Sequence, residues 1–339
     1  PGRKIAAGLP AIDSLYFCPF DLRCVVLKSL NSIRPEVIIL VETEIWPNFV
    51  LQAKARNIPL ILANGRISDR SFPRYRMARK FLPPILDAIA DYCMQSEQDS
   101  RRIRHLGAPT GRVRVTGNLK FDMQPPQIDS GELAALRSQL RLPGNARIWV
   151  AGSTHDGEEA QVAEVYQRLR KICPELFLIL VPRHPERCRQ VQDDLGKQNI
   201  ATTLRSTLAE MRKDLQPGEI LIVDTLGEVL KFYALSELVF VGGSLVDIGG
   251  HNILEAAVLK KPVMYGSHMQ NFKEIARLVR AAHAGLQVKN ADDLYRQMRI
   301  LIENPDEAIR IGENGHHLLE QNRGATQRTL EVIDRRMLS

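Results

Sequence analysis

The stretch LVFVGGSLVDIGGHNILE, residues 238–255, decides how the rest of the chain is read. Residues 238–241 are all apolar, too short for a helix and without alternation, which marks a strand buried on both faces. Two glycine pairs follow, Gly242-Gly243 and Gly249-Gly250, and then an amphipathic segment over 253–259. Strand, glycine loop and helix together form the repeating unit of a parallel sheet covered by helices. Such a loop can wrap a phosphate with backbone N–H groups. Asn252 and Glu255 stand three apart, on one helical face. Glu255 could accept ribose hydroxyl protons while Asn252 caps the helix; an ordinary capping box accounts for the same two residues.

The same unit recurs in both directions along the chain. On the amino-terminal side the pattern predicts strands over 37–41, 60–63, 92–95 and 113–115, with Asn64-Gly65 as a turn and helices over 47–57 and 98–106. Residues 123–131 (MQPPQIDSG) interrupt the rhythm with two prolines, a serine and a glycine, and read as a linker. Beyond it, strands are predicted over 148–151, 177–181, 220–223, 238–241 and 262–264. Helices follow near 158–172, 186–197, 228–235, 253–259 and 272–282, and the chain is helical from about 306. The expected fold is α/β: two doubly wound Rossmann-like domains facing across a cleft. They would span 1–122 and 132–315, with a C-terminal helix over 316–339 packing back on the first. In such sheets ligands bind at the carboxyl ends of the strands.

Composition narrows the class of partner. A chain of 339 residues, 44% hydrophobic and 25% charged, can bury a core and is not disordered. Forty-six Lys+Arg against 39 Asp+Glu leave a net charge of +7, which favours an anionic partner. Aromatic residues are only 6%, and no RNP or KH signature occurs, so nucleic acid is not an expected partner. No 18-residue apolar run and no signal-peptide pattern are present. Cys18, Cys24, Cys93, Cys173 and Cys188 form no C-x-x-C pair, which argues against a disulfide framework or a zinc knuckle. A phosphate-binding G-x-x-x-x-G-K-[ST] loop, an Asp-x-Asp pair and a nucleophile elbow are also missing, so neither a metal nor a cofactor is expected. A group transfer would then rest on positioned cations and helix dipoles that meet the charge of a departing phosphate.

The strand ends supply candidates for that task. After 37–41 come Glu42 and Glu44, which fit either acids at a helix N-terminus or a carboxylate that orients a catalytic group. After 113–115 come Gly117, which permits a close backbone approach, and Lys120, a point charge for an oxyanion. Gly152-Ser153-Thr154 and the acids after them form a helix-capping signature that could also hold a phosphate. Pro182-Arg183-His184-Pro185 is a rigid turn that places an arginine fork at the sheet edge. Leu226-Gly227-Glu228 opens another helix and leaves backbone donors exposed.

Taken in order, VETEIWPNF (41–49), ANGRISDRS (63–71), VTGNLKFD (115–122), GSTHDGEE (152–159), LVPRHPER (180–187), DTLGE (224–228), FVGGSLVDIGGHNILEAA (240–257) and NFKEIA (271–276) resemble the lipopolysaccharide 3-deoxy-D-manno-octulosonic acid (Kdo) transferases. The resemblance implies a B-type glycosyltransferase fold and inverting transfer of Kdo from CMP-Kdo to a lipid A precursor, lipid IVA, without a metal. It implies CMP contacts at Pro182, Arg183, Leu226, Gly227, Glu228, Asn252 and Glu255, and transition-state stabilisation by Glu44 and Lys120. It further implies a site of action at the cytoplasmic face of the inner membrane. Arg66, Arg70, Arg74, Arg76, Arg79 and Lys80 would favour such an anionic surface. The family's general base is a glutamate in a Ser-x-Gly-Glu motif that follows an apolar anchor. Neither occurs here, so the chain, which begins at Pro1, is expected to be a fragment with a truncated first domain and its base upstream. Loss of a general base would slow transfer by ~10²–10⁴. The alternatives are a nucleotide-sugar epimerase of the same fold and an inactive CMP-binding fragment.

Overall fold

A computed structural model of the chain describes residues 3, 6–208 and 214–338; Pro1 lies outside them. The chain divides into two compact units, one of residues 1–122 with 323–339 and one of residues 123–322.

The first unit is built on a parallel sheet in the order β1 (Ile38–Val41), β2 (Leu60–Gly65), β3 (Asp91–Met94), β4 (Val113–Val115). All of β2 and β3 is buried, because both faces of the sheet are covered. Successive side chains leave a strand on opposite faces. Leu60, Leu62, Tyr92 and Met94 therefore join Val26, Leu30, Val50 and Ala53 from the helices Arg23–Ile33 and Pro47–Lys54. Ile61 and Cys93 point the other way, onto Val332 and Ile333 of the C-terminal helix Ala325–Met337.

Three polar contacts clamp that helix. Asp122 accepts hydrogen bonds from the N–H of Gly324 at 2.6 Å and of Thr326. Arg328 donates to the Thr116 carbonyl at 2.8 Å, and Arg336 pairs with buried Asp91. Burial pushes the Asp122 carboxyl up, but the hydrogen bonds from Thr326 and the neighbouring N–H groups outweigh it and hold the group below its usual range. A carboxyl with a depressed folded pKa stabilises the fold above its unfolded pKa, and that stabilisation fades as pH falls through the folded value. Gly117 serves the same contact. At φ +95° it has no Cβ to meet Arg328 and Ala325, so the close approach it allows is that of the chain's own last helix.

The second unit has a seven-stranded parallel sheet. Its strands are β5 (Arg147–Thr154), β6 (Leu176–Pro182), β7 (Thr202–Leu204), β8 (Ile220–Ile222), β9 (Leu238–Val241), β10 (Val263–Tyr265) and β11 (Leu286–Gln287). Their spatial order is β11-β10-β9-β5-β6-β8-β7. On one side of β5 the chain adds β6, places β7 at the edge and fills the gap with β8; it then returns to β5 and builds outward with β9, β10 and β11 on the other. The carboxyl ends of β5 and β9 form the point where the strand order reverses, which is where open α/β sheets bind ligands. Trp149, Tyr166, Leu178, Leu180 and Phe240 fill the core around these strands.

Several expectations are corrected. Asn64 and Gly65 end β2 instead of forming its turn; Asn64 takes φ +53° there, and its side chain accepts the Leu119 N–H. The linker stops short of 131, because Asp129 caps a helix over Ser130–Gln139 by accepting the Glu132 N–H at 2.7 Å. The C-terminal helical region is not one element from 316. A helix over Pro305–Asn322 lies in the second unit, and a separate one starts at Ala325 in the first. β7 and β11, of three and two residues, are too short to leave a periodicity in the sequence.

Candidate active site

In the second unit, the end of β5 and the glycine loop after β9 are locked together by one carboxylate. Glu158 is fully buried ahead of helix Glu159–Leu169. Its two oxygens accept four backbone N–H groups: His155 at 3.0 Å, Gly243 at 2.6 Å, Ser244 at 3.0 Å and Leu245 at 2.8 Å. Gly242 permits this closeness, since a Cβ would lie 2.6 Å from the Ser153 carbonyl oxygen and 2.8 Å from a Glu158 oxygen. The N–H groups after Gly242 thus form an anion nest that the chain fills with its own side chain. This corrects the reading of the loop as a phosphate cradle at its first glycine pair, whose following N–H groups are already taken. Ser153 and Thr154 are no helix cap either, because β5 runs through Thr154.

The predicted CMP-contact residues occupy the adjoining strand ends. Pro182 closes β6 and is buried. The Arg183 N–H donates to the Thr154 carbonyl at 3.0 Å, tying the turn to β5. The Arg183 guanidinium is exposed and makes no hydrogen bond or ion pair among the described residues. Asn252 accepts the Leu254 N–H at 3.2 Å and also hydrogen-bonds Glu255. Burial pushes the Glu255 carboxyl up, while the charge of Arg183 and the bond from Asn252 pull it back. The structure therefore brings Arg183, Asn252 and Glu255 into one electrostatic neighbourhood. Tyr233, wholly buried, floors it: a Cβ on Gly152 would lie 2.0 Å from the Tyr233 hydroxyl, whose pKa burial and the Glu255 charge both raise.

The turn after β8 is more open. Leu226 is 82% exposed, and Gly227, at φ +84°, has no atom near its would-be Cβ. Glu228 is engaged locally, accepting the Thr225 hydroxyl and lying 3.7 Å from Arg205.

In the first unit, Lys120 Nζ meets Glu42 at 3.1 Å. Glu42 turns the chain at φ +62°, and its N–H still bonds the Ala63 carbonyl. Glu44 is exposed and accepts the Trp46 indole N–H at 3.2 Å. Neither acid sits in the first turn of helix Pro47–Lys54. The carboxylate there is that of Asp21, which accepts the N–H groups of Asn48 and Phe49.

Comparison with known proteins identifies the constellation. A family model described as 3-deoxy-D-manno-octulosonic-acid transferase (kdotransferase) matches residues 1–123. The 3-deoxy-D-manno-octulosonic acid transferase of Haemophilus influenzae is 36% identical over 319 residues, covering 94% of this chain and 74% of the relative. The chain belongs to the Kdo transferase family. It is therefore a glycosyltransferase of two Rossmann-like α/β units, and this kinship sets aside the epimerase alternative. Among solved structures, the C-terminal CMP-Kdo binding domain of WaaA from Acinetobacter baumannii is 31% identical, with a TM-score of 0.51 over 56% of this chain and 96% of that one. Anabaena HepE in complex with UDP and glucose, at 14% identity and a TM-score of 0.59 over 92% of this chain and 80% of that one, shares the fold.

Two features of this Kdo transferase escape a reading of the sequence. Glu158 stands in GSTHDGEE as one acid among several, and His155 and His251 are separated by 96 residues. The only local signal is the Gly242-Gly243 pair, whose missing side chains make room for both.

Proposed function

We propose that the second unit binds CMP-Kdo and that the chain transfers Kdo with inversion to a lipid A precursor at an anionic membrane surface. The unengaged Arg183 guanidinium beside Asn252 and Glu255, at the carboxyl ends of the strands, carries the donor half of the reading. A guanidinium held by a proline on each side of the turn matches a nucleotide phosphate, and Glu255 and Asn252 match hydroxyls of the ribose. The exposed Leu226-Gly227 turn offers an apolar edge and open backbone for the base. Calorimetry with CMP tests this assignment. CMP is expected to bind more tightly than UMP, and Arg183→Ala to weaken it roughly 10–100-fold, the loss of one charge-assisted bidentate contact. Equal, weak binding of both nucleotides, unchanged in Arg183→Ala, would sink the assignment.

The membrane half rests on residues 66–81. Arg70, Arg74, Arg76, Arg79 and Lys80 are exposed, with Met77 (86% exposed) and Phe81 (78% exposed) set among them. Basic residues over an anionic bilayer contribute about 1 kcal/mol each near the surface, and apolar side chains insert between headgroups. Cosedimentation should show binding to phosphatidylglycerol vesicles and none to phosphatidylcholine vesicles. The double variant Met77→Glu, Phe81→Glu is expected to reduce binding about tenfold. Equal affinity for both lipids would exclude this surface. Among the described residues no helix is long and apolar enough to cross a membrane.

A further inference from the structure

His155 follows β5 and His251 lies in the loop after β9, so strand neighbours deliver two imidazoles to the place where the strand order reverses. Their rings lie nearly parallel and edge to edge, 5.0 Å between centroids and 7° between planes, and meet through their Nε2 atoms 2.8 Å apart. Gly243 lies against both rings: a Cβ there would come within 2.9 Å of His251 and 3.3 Å of His155. His184 meets His155 edge-on at 5.6 Å. Both residues of the pair are only partly buried.

An Nε2-to-Nε2 hydrogen bond imposes a simple count. One nitrogen donates and the other accepts, so one of the two bonded Nε2 atoms must lack a proton. The pair is thus neutral, or carries a single positive charge when the ring with an unprotonated Nδ1 takes up a proton there. Two positive charges would set N–H against N–H. The charged and titratable groups acting on the pair are Glu158, His184, Arg187 and Arg183. Burial and the neighbouring positive charges push His251 down to about 4. Burial also lowers His155, against the pull of Glu158. Both shifts favour the neutral pair while no anion is bound.

We propose that the His155–His251 pair lines the donor's phosphate site beside Arg183 and takes up one proton from water when the phosphate arrives. The inference rests on the CMP reading above. The incoming dianion offsets the positive field of Arg183, and its own charge favours the imidazolium. No bond of the ligand breaks: one N–H forms at Nδ1, and the bound phosphate gains a second cation. Glu158 acts here as a positioning residue, since it holds the His155 N–H and the Gly243 N–H with a single oxygen.

Two measurements on the full chain test the proposal. The first follows the imidazole nitrogens by long-range ¹H–¹⁵N NMR against pH, without ligand, with CMP and with cytidine. The pair's apparent pKa is expected to rise by ~1–2 units with CMP and to stay in place with cytidine. The second is calorimetry of CMP binding near neutral pH in buffers of different ionisation enthalpy. Uptake of a fraction of a proton per CMP, growing as the pH is lowered from 7 towards 6, is expected in the wild type, falling towards zero in His155→Gln and in His251→Gln, with CMP affinity reduced about tenfold in each. The phosphate's own titration has the opposite sign, because binding the dianion releases any residual proton. CMP binding with no pKa shift and no proton uptake in the wild type would overturn the proposal, as would uptake that survives in both variants. Failure of CMP to bind the wild type at all would overturn the donor reading itself, a separate and recognisable result.

Discussion

Replacing Lys120 with alanine is expected to lower kcat for Kdo transfer by ~10²–10³ while CMP affinity stays at the wild-type value. Lys120 sits on the short helical turn Leu119–Asp122 after β4, and its ammonium is held by Glu42 at 3.1 Å. An anchored ammonium needs no reorganisation when negative charge develops in a transition state, and this is the condition under which a single cation contributes most. The alternative is a pair with no catalytic part. Both side chains are about a third to a half exposed, and a pair in that setting contributes at most ~1 kcal/mol to stability. The two accounts separate cleanly. A structural pair predicts a small drop in melting temperature and transfer within about twofold of wild type. A transition-state role predicts the large loss in kcat with little change in melting. Glu42→Gln and Glu44→Gln add a second comparison. If Glu42 aims the lysine, Glu42→Gln should cost about tenfold in kcat through Lys120, whereas the loss in Glu44→Gln reports a direct role for that exposed acid. Wild-type kcat in Lys120→Ala would remove the lysine from the mechanism.

Removing the Glu158 carboxylate should have the largest effect on the second unit. Four backbone N–H groups end on its two oxygens, and the side chain is fully buried. Glu158→Ala leaves those donors without an acceptor in a place that bulk water does not reach. Each unsatisfied buried group costs ~1–3 kcal/mol, partly recovered by relaxation of the loop, so a total near 4 kcal/mol is expected. For a unit of about 200 residues this corresponds to roughly 10 °C in melting temperature. Glu158→Gln should be nearly as harmful, because the amide NH₂ would face two donors that now meet an oxygen. CMP binding should weaken in parallel, as the glycine loop and the end of β5 are no longer held in register. Thermal and urea unfolding of both variants give the check. A wild-type melting temperature in Glu158→Ala would show that the nest is satisfied without the carboxylate.

The strand–helix rhythm, and with it the presence of two parallel sheets, is written in the order of residues along the chain. That order also placed a charged or glycine-rich turn at the end of nearly every strand. Those properties are local: an apolar run of four, a proline opening a helix and a three-residue spacing between Asn252 and Glu255 are set by neighbours within one or two turns of chain. Which of these turns meet is settled by folding alone. Lys120 at one strand end meets Glu42 at another. The loop's first glycine pair closes on Glu158, 85 residues earlier, instead of standing open for phosphate. Two histidines 96 residues apart share a proton because β5 and β9 are neighbours. Such pairings depend on strand order, and apolar periodicity carries no record of it: any permutation of equally buried strands would show the same pattern. The site's residues were therefore legible one by one, and their partnerships were not.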